Sequence, residues 1–321
     1  VASKSSAVLR LVQPGFNFAS VAEFPPEGRR IATEAQNGLA WQLARRLLDR
    51  ANEDDADLPA FPAIAAKILN LMDEPNPDLD AMVEVISQDA MISAQVLRMA
   101  SSAFYSRGAE VTSVKMAAAR LGVRAVSSVA VAAATRALLD AQERESNECF
   151  RESWRALADY SIVCAVSARW LSTALGRADS EQAFLGGLLH DLGKMVALRV
   201  AGQMVQSGDL SATVAPIVLE RVLELAHVEL GVNLSAIWEL PGIVGYVCGK
   251  HHESTPGSEP VNDALHVVRI ASALTEARIN PLHRPELERE LTWSASALGL
   301  EPGPLQAIAA ELKARTSRHR P

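Results

Sequence analysis

Phe184-Leu-Gly-Gly-Leu-Leu-His190-Asp191-Leu-Gly193-Lys194 is the most telling stretch of this chain: an apolar, glycine-containing run that ends in a His–Asp pair followed by Gly and Lys. Neighbouring residues on a helix point about 100° apart. His190 and Asp191 therefore grip one ion between them only if other helices bring the remaining ligands. The pair offers a neutral imidazole nitrogen and a hard carboxylate oxygen, a combination that suits hydrolytic iron, manganese or zinc sites. Further candidates lie downstream: His227 in Glu224-Leu-Ala-His227-Val-Glu-Leu-Gly231, and His251-His252-Glu253 after Trp238-Glu-Leu-Pro241. A lone His on a helix face is more often a hydrogen-bonded core residue than a ligand, and that reading suits His266, His283 and His319. The conjunction of His190, Asp191, His227, His251 and His252 weakens it for those five.

Around this stretch the chain reads as helix throughout. Apolar residues recur at 3/4 spacing in Phe61, Ile64, Ala65, Ile68, Leu69, Met72, then in Met82, Val85, Ile86, and again in Ile92, Val96, Leu97, Ala100, Phe104. Thr112-Ser113 starts a helix carrying Val114, Ala117, Ala118 and Leu121 and closed by Gly122. Val123 to Leu139 is rich in small residues, which lets neighbouring helices approach closely. Asp78 or Asp80 is placed to cap the helix after Pro75-Asn76-Pro77. No strand alternation of useful length is present. The fold class expected is all-α, in two helical lobes of about 57–140 and 148–280, with Asp140 to Glu148 as the connection. Residues 1–56 are expected to be a linker plus an amphipathic helix, Arg30 to Asn52, with Trp41, Leu43, Leu47 and Leu48 on its apolar face. Residues 281–321 are expected to be a helical extension with a Leu298, Leu305, Ile308, Leu312 stripe.

Composition sets the outer bounds. Of 321 residues, 49% are apolar but only 5% aromatic, a mix that favours helix-on-helix packing. A net charge of −7 argues against a general nucleic-acid binder, which needs a basic face to release counterions. The acids of residues 51–90 read as caps and a solvated face, with an acidic docking surface as the alternative. Cys149, Cys164 and Cys248 form no CxxC pair and read as reduced thiols, which points to the cytoplasm. No apolar run is long enough for a membrane span. No signal peptide is visible, an absence of little weight in a chain that opens on Val1.

Taken together, His190-Asp191-Leu-Gly193-Lys194, His227-x-x-x-Gly231, Trp238-x-Leu-Pro241 and His251-His252 resemble the HD superfamily of metal-dependent phosphohydrolases. Leu58-Pro-Ala-Phe-Pro62, Val85-Ile-Ser-Gln-Asp89, Val96 to Tyr105, and Thr112-Ser-Val with Leu121-Gly122 narrow the resemblance to the HDOD family, the HD-related output domain. The resemblance implies a regulatory, non-catalytic bacterial signalling module acting on protein partners, often in cyclic-di-GMP circuits. It also exposes two gaps. The superfamily's first His falls at Tyr160 and its last Asp at Ser272, so the hydrolytic ligand set is incomplete, and the Gly-Tyr-Pro signature of cyclic-di-GMP phosphodiesterases is absent after Glu253. Two readings of the residual site follow. One is a hydrogen-bonded network without cofactor, Asp191 accepting from a charged His, in a pocket that is structural or senses a small ligand. The alternative is one divalent transition metal on His190, Asp191, His227, His251 and His252. The rival function is a metal-dependent phosphodiesterase with a rearranged ligand set.

Overall fold

The computed structural model describes residues 32–53, 58–74, 77–100, 111–146, 148–253, 262–279 and 286–300. Among them every regular element is helical, as the apolar spacing predicts. Phe104, Leu305, Ile308 and Leu312 lie outside the described residues.

Helix α1 (Glu34–Ala51) starts at a capping box: Thr33 accepts from the Gln36 backbone, and the Gln36 side chain accepts from the Thr33 backbone. It then packs on the fourth and third helices of the C-terminal lobe, introduced below. Its buried face is Ala40, Ala44 and Leu47, whereas Trp41 is 63% exposed. Of the expected apolar face, Leu47 is buried and Leu43 and Leu48 are partly buried against the core, and only Trp41 lies off it; Ala40 and Ala44, one turn apart, extend the packed face and permit close helix contact.

Four short helices, α2 (Ala63–Met72), α3 (Leu79–Ser87), α4 (Ala90–Ala100) and α5 (Val114–Leu121), form the N-terminal lobe. Their starts follow from short polar caps. Asp78 accepts from Asp80 N, Asp89 from Met91 N and Ile92 N, and Ser113 from Met116 N. Gly122 separates α5 from α6 (Val123–Glu145) at φ 87°, a value that an L side chain resists. Helix α6 is the spine of the molecule. Its run of Ala, Ser and Val is buried, one side facing α2 to α5 and the other facing α7 (Arg151–Leu175) and α8 (Ser180–Leu189). It runs on to Glu145, five residues past the expected lobe limit; the connection is shorter than Asp140 to Glu148 because the helix continues past Leu139, with Arg144 and Glu145 facing water and Gln142 buried, its side chain accepting from Arg199 at 2.6 Å.

The C-terminal lobe adds α9 (Leu192–Ser207), α10 (Pro216–Ile237), α11 (Gly242–Lys250), α12 (Asp263–Ile279) and α13 (Glu286–Ala297). Helix α1 rests on α10 and α9, and α13 lies along α12 with Leu291, Ala295 and Leu298 in its own apolar cluster. The lobes also meet at two of the motifs read from sequence. Trp238 Nε1 donates to the Pro59 carbonyl at 3.2 Å, and its ring lies 4.8 Å from that of Phe61. No helix among the described residues is long and apolar enough to cross a membrane.

Candidate metal centre

The site sits where α8 ends and α9 begins. His190 closes α8, Asp191 precedes α9, and both are buried. Gly193 sets the geometry. A Cβ there would lie 1.8 Å from the His227 carbonyl oxygen and 2.6 Å from Gly231 N. Only a glycine lets α9 touch the backbone of α10, and that contact carries His227 to Asp191. The glycines in His-Asp-x-Gly-Lys and His-x-x-x-Gly are thus two sides of one helix crossing.

Three imidazoles are held the same way. His190 Nδ1 lies 3.0 Å from the Gly187 carbonyl; His227 Nδ1 lies 3.1 and 3.0 Å from those of Leu223 and Glu224; His251 Nδ1 lies 3.0 Å from those of Val247 and Cys248. A carbonyl only accepts, so each Nδ1 carries the hydrogen and donates it. A ring held in this way turns its Nε2 toward the centre of the site. Burial lowers His190 to about 4, and likewise His227 to about 4, against the pull of Asp191. These two rings are therefore neutral at physiological pH.

The Nε2 atoms converge on Asp191. His227 Nε2 and His251 Nε2 are 3.1 Å apart, and lie 3.4 and 3.6 Å from Asp191 Oδ1. Both Asp191 oxygens are buried, and Oδ1 has only these long contacts. Burial pushes the Asp191 carboxyl up, but the Lys194 ammonium, 2.9 Å from Oδ2, and the surrounding imidazoles of His190, His251 and His227 together outweigh it and hold the group well below the usual carboxylate range. Lys194 also pairs with Glu224 at 2.6 Å. Burial would lower its own value, yet Asp191, Glu224 and Glu276 keep it raised. The Glu224, Glu276 and Glu290 side chains gather here around the Lys194 ammonium, with the buried Arg269 guanidinium acting on Glu290 from the other side.

His252 completes the group from the side. Its ring is 4.0 Å from that of His251 and 5.0 Å from that of His227, with Nε2 3.9 Å from Glu224 and Nδ1 2.9 Å from Glu290 Oε1. All five residues singled out from the sequence therefore meet in one place.

Tyr160 and Ser272, where the resemblance expects a His and an Asp, meet as well. Tyr160 Oη is 2.8 Å from Ser272 Oγ and 3.3 Å from His190 Nε2. Since that nitrogen is bare, the phenol donates to it and the Ser272 hydroxyl donates to the phenol. Burial raises Tyr160, so it keeps its proton. His190 is thereby saturated on both nitrogens. The buried thiols take no part: burial lifts Cys164 well above its usual value and Cys248 to about 12.

Sequence reading did not single out Glu224, Glu276 or Glu290. Glu224 was within reach, one turn before His227 on the same face of α10. Glu290 carries no local signal, because only the packing of α13 on α12 brings it to His252.

A family model for the HDOD domain matches residues 58–254. The chain belongs to the HDOD family. Among solved structures, this HDOD chain is similar to a Shewanella amazonensis SB2B protein named for metal-dependent phosphohydrolase activity, with TM-score 0.64 and 22% identity over 86% of this chain and 99% of that one. It is also similar to a Marinobacter aquaeolei VT8 protein named for signal transduction, with TM-score 0.61 and 23% identity over 88% of this chain and 64% of that one. A Treponema pallidum (strain Nichols) protein described as uncharacterized is 22% identical over 240 residues, 72% of this chain and 44% of that protein; the HDOD chain thus spans under half the length of this curated relative.

Proposed function

We propose that this HDOD domain is a non-catalytic module of bacterial signalling that works through protein contacts, with an HD site that holds a single transition-metal ion. Cyclic-di-GMP circuits are the setting that the family resemblance suggests, and the cytosol the compartment. The observation that carries the proposal is the 2.8 Å contact between Tyr160 and Ser272 and the phenol's donation to His190. An HD hydrolase clamps attacking and leaving oxygens between two ions about 3.5–4 Å apart. Here the two side chains that would complete the second ion's shell are neutral, bonded to each other, and occupy the His190 lone pair. The second oxygen of Asp191 is already taken by Lys194.

The remaining donors fit one ion better than they fit a hydrogen-bonded network. Donor atoms bound tetrahedrally at about 2.0–2.1 Å lie roughly 3.3 Å from one another. His227 Nε2, His251 Nε2 and Asp191 Oδ1 are separated by 3.1, 3.4 and 3.6 Å. A proton on one imidazole would join the two rings but leave Oδ1 only long contacts of 3.4 and 3.6 Å, longer than an ordinary N–H···O bond. His227, His251 and Asp191 would hold the ion, with His252 the fourth candidate. Bound there, an ion would act as a Lewis acid and as a structural tie between α9, α10 and α11; the chain's own residues fix the ligand tautomers and exclude water.

The test is turnover. Purified HDOD chain loaded with manganese, iron or zinc is expected to leave cyclic dinucleotides, nucleoside monophosphates and a generic chromogenic phosphodiester intact. Hydrolysis that is lost in both His190→Ala and Asp191→Ala would refute the non-catalytic reading.

A further inference from the structure

Four imidazoles surround the site, and in each one the Nδ1 hydrogen is fixed by an acceptor. For His190, His227 and His251 the acceptor is a carbonyl one turn back on their own helix. His252 is the exception. Its Nδ1 donates to Glu290 Oε1 at 2.9 Å, a buried carboxylate on α13, beyond residue 254, where the family match ends. A second contact acts on the same place. The Arg269 guanidinium stacks 4.0 Å over the Trp293 ring and donates through Nη2 to the Glu253 carbonyl at 2.6 Å. Glu290 and Trp293 stand three residues apart, on one face of α13. One therefore holds the His252 ring, and the other holds the arginine that holds the next residue's backbone.

His252, His227 and His251 offer nitrogens that all lie within 4.8 Å of one another. A ligating imidazole normally gives its other N–H to a carboxylate or a backbone carbonyl, which fixes the ring and raises its basicity. We infer that Glu290 is the positioning residue that turns His252 toward the ion, so that seating of the C-terminal helix and loading of the site are coupled. This rests on the one-ion reading above. Helix α13 is then a part of the chain whose docking reports metal occupancy, on an element that the HDOD match does not include.

The test measures both sides of the coupling on the full chain. Glu290→Ala should weaken zinc binding in isothermal titration roughly 10- to 100-fold, the usual loss when such an outer partner is removed. Glu290→Gln, which keeps an acceptor oxygen, should recover most of it, and the visible spectrum of the cobalt-loaded chain should shift in the alanine variant alone. In the wild type, zinc should slow hydrogen exchange across 286–297. Because coupling is reciprocal, the factor cannot exceed the affinity lost in Glu290→Ala. Wild-type zinc affinity in Glu290→Ala, or exchange in 286–297 that ignores zinc, overturns this inference while leaving the one-ion site standing. No zinc binding by the wild type overturns both.

Discussion

Acidifying the metal-free HDOD chain should unfold it in a defined pH window. His190 and His227 are buried and lowered to about 4 from an ordinary 6.5. Between those values the unfolded chain binds two protons that the folded chain refuses. Stability is therefore complete above pH 6.5 and is lost as the pH falls toward 4. Each ring's shift corresponds to roughly 3 kcal/mol, at about 1.4 kcal/mol per pH unit. Two rings together rival the whole stability of an ordinary domain, about 5–15 kcal/mol. Urea unfolding in chelator, repeated from pH 7.5 to 4.5, should show stability falling with a slope that approaches about 2.7 kcal/mol per pH unit, the two-proton value. His227→Gln should lose about half of that slope, because one of the two protons is gone. Added zinc should widen the difference between neutral and acid pH, since it binds only unprotonated imidazole. Stability that stays flat between pH 6.5 and 5, or a His227→Gln variant with the full slope, would refute the claim that these rings are buried neutral.

Three further outcomes follow from the packing. Gly193→Ala must force α9 from α10 by at least about 1 Å, so it should cost 1–3 kcal/mol or more and abolish zinc binding; calorimetry and zinc titration check this, and a wild-type melting temperature would contradict it. Tyr160→Phe leaves His190 Nε2 and Ser272 Oγ without their partner in a buried site, at a cost of about 1–3 kcal/mol, readable by urea denaturation; an unchanged midpoint would show that the Ser272–Tyr160–His190 chain is not formed. Trp41→Ser should change stability by no more than about 0.5 kcal/mol, because the indole faces solvent; a larger loss would restore Trp41 to the apolar face.

Much of this arrangement was legible in the sequence. Three-four spacing located the helices, and the Asp78, Ser113 and Gly122 signals placed their ends, because caps and left-handed turns act over a few residues. The meeting of His190, Asp191, His227, His251 and His252 was legible only as a conjunction; its physical cause, the Gly193–His227 backbone contact, is a tertiary fact hidden in two spaced glycines. On α1, Leu43, Leu47 and Leu48 pack as their spacing predicts and Trp41 alone does not, because the indole outweighs Ala40 and Ala44 in hydrophobicity while close helix packing rewards small side chains. Glu290 was out of reach of any local pattern. Its role depends on how α13 lies against α12, and sequence periodicity fixes an element's apolar face but not its neighbour. Tyr160 and Ser272 were each placed as substitutions; that they hydrogen-bond to one another emerged only with the fold.

Metal stoichiometry is the most direct check on the claim that this HD site has been reduced to one ion. The chain, purified without an immobilised-metal column, loaded with excess zinc or manganese and desalted, should carry one ion per chain by elemental analysis, and none in an Asp191→Ala, His227→Ala double variant. Two ions per wild-type chain would contradict the account, because the Tyr160–Ser272 pair would then not be closing the second position.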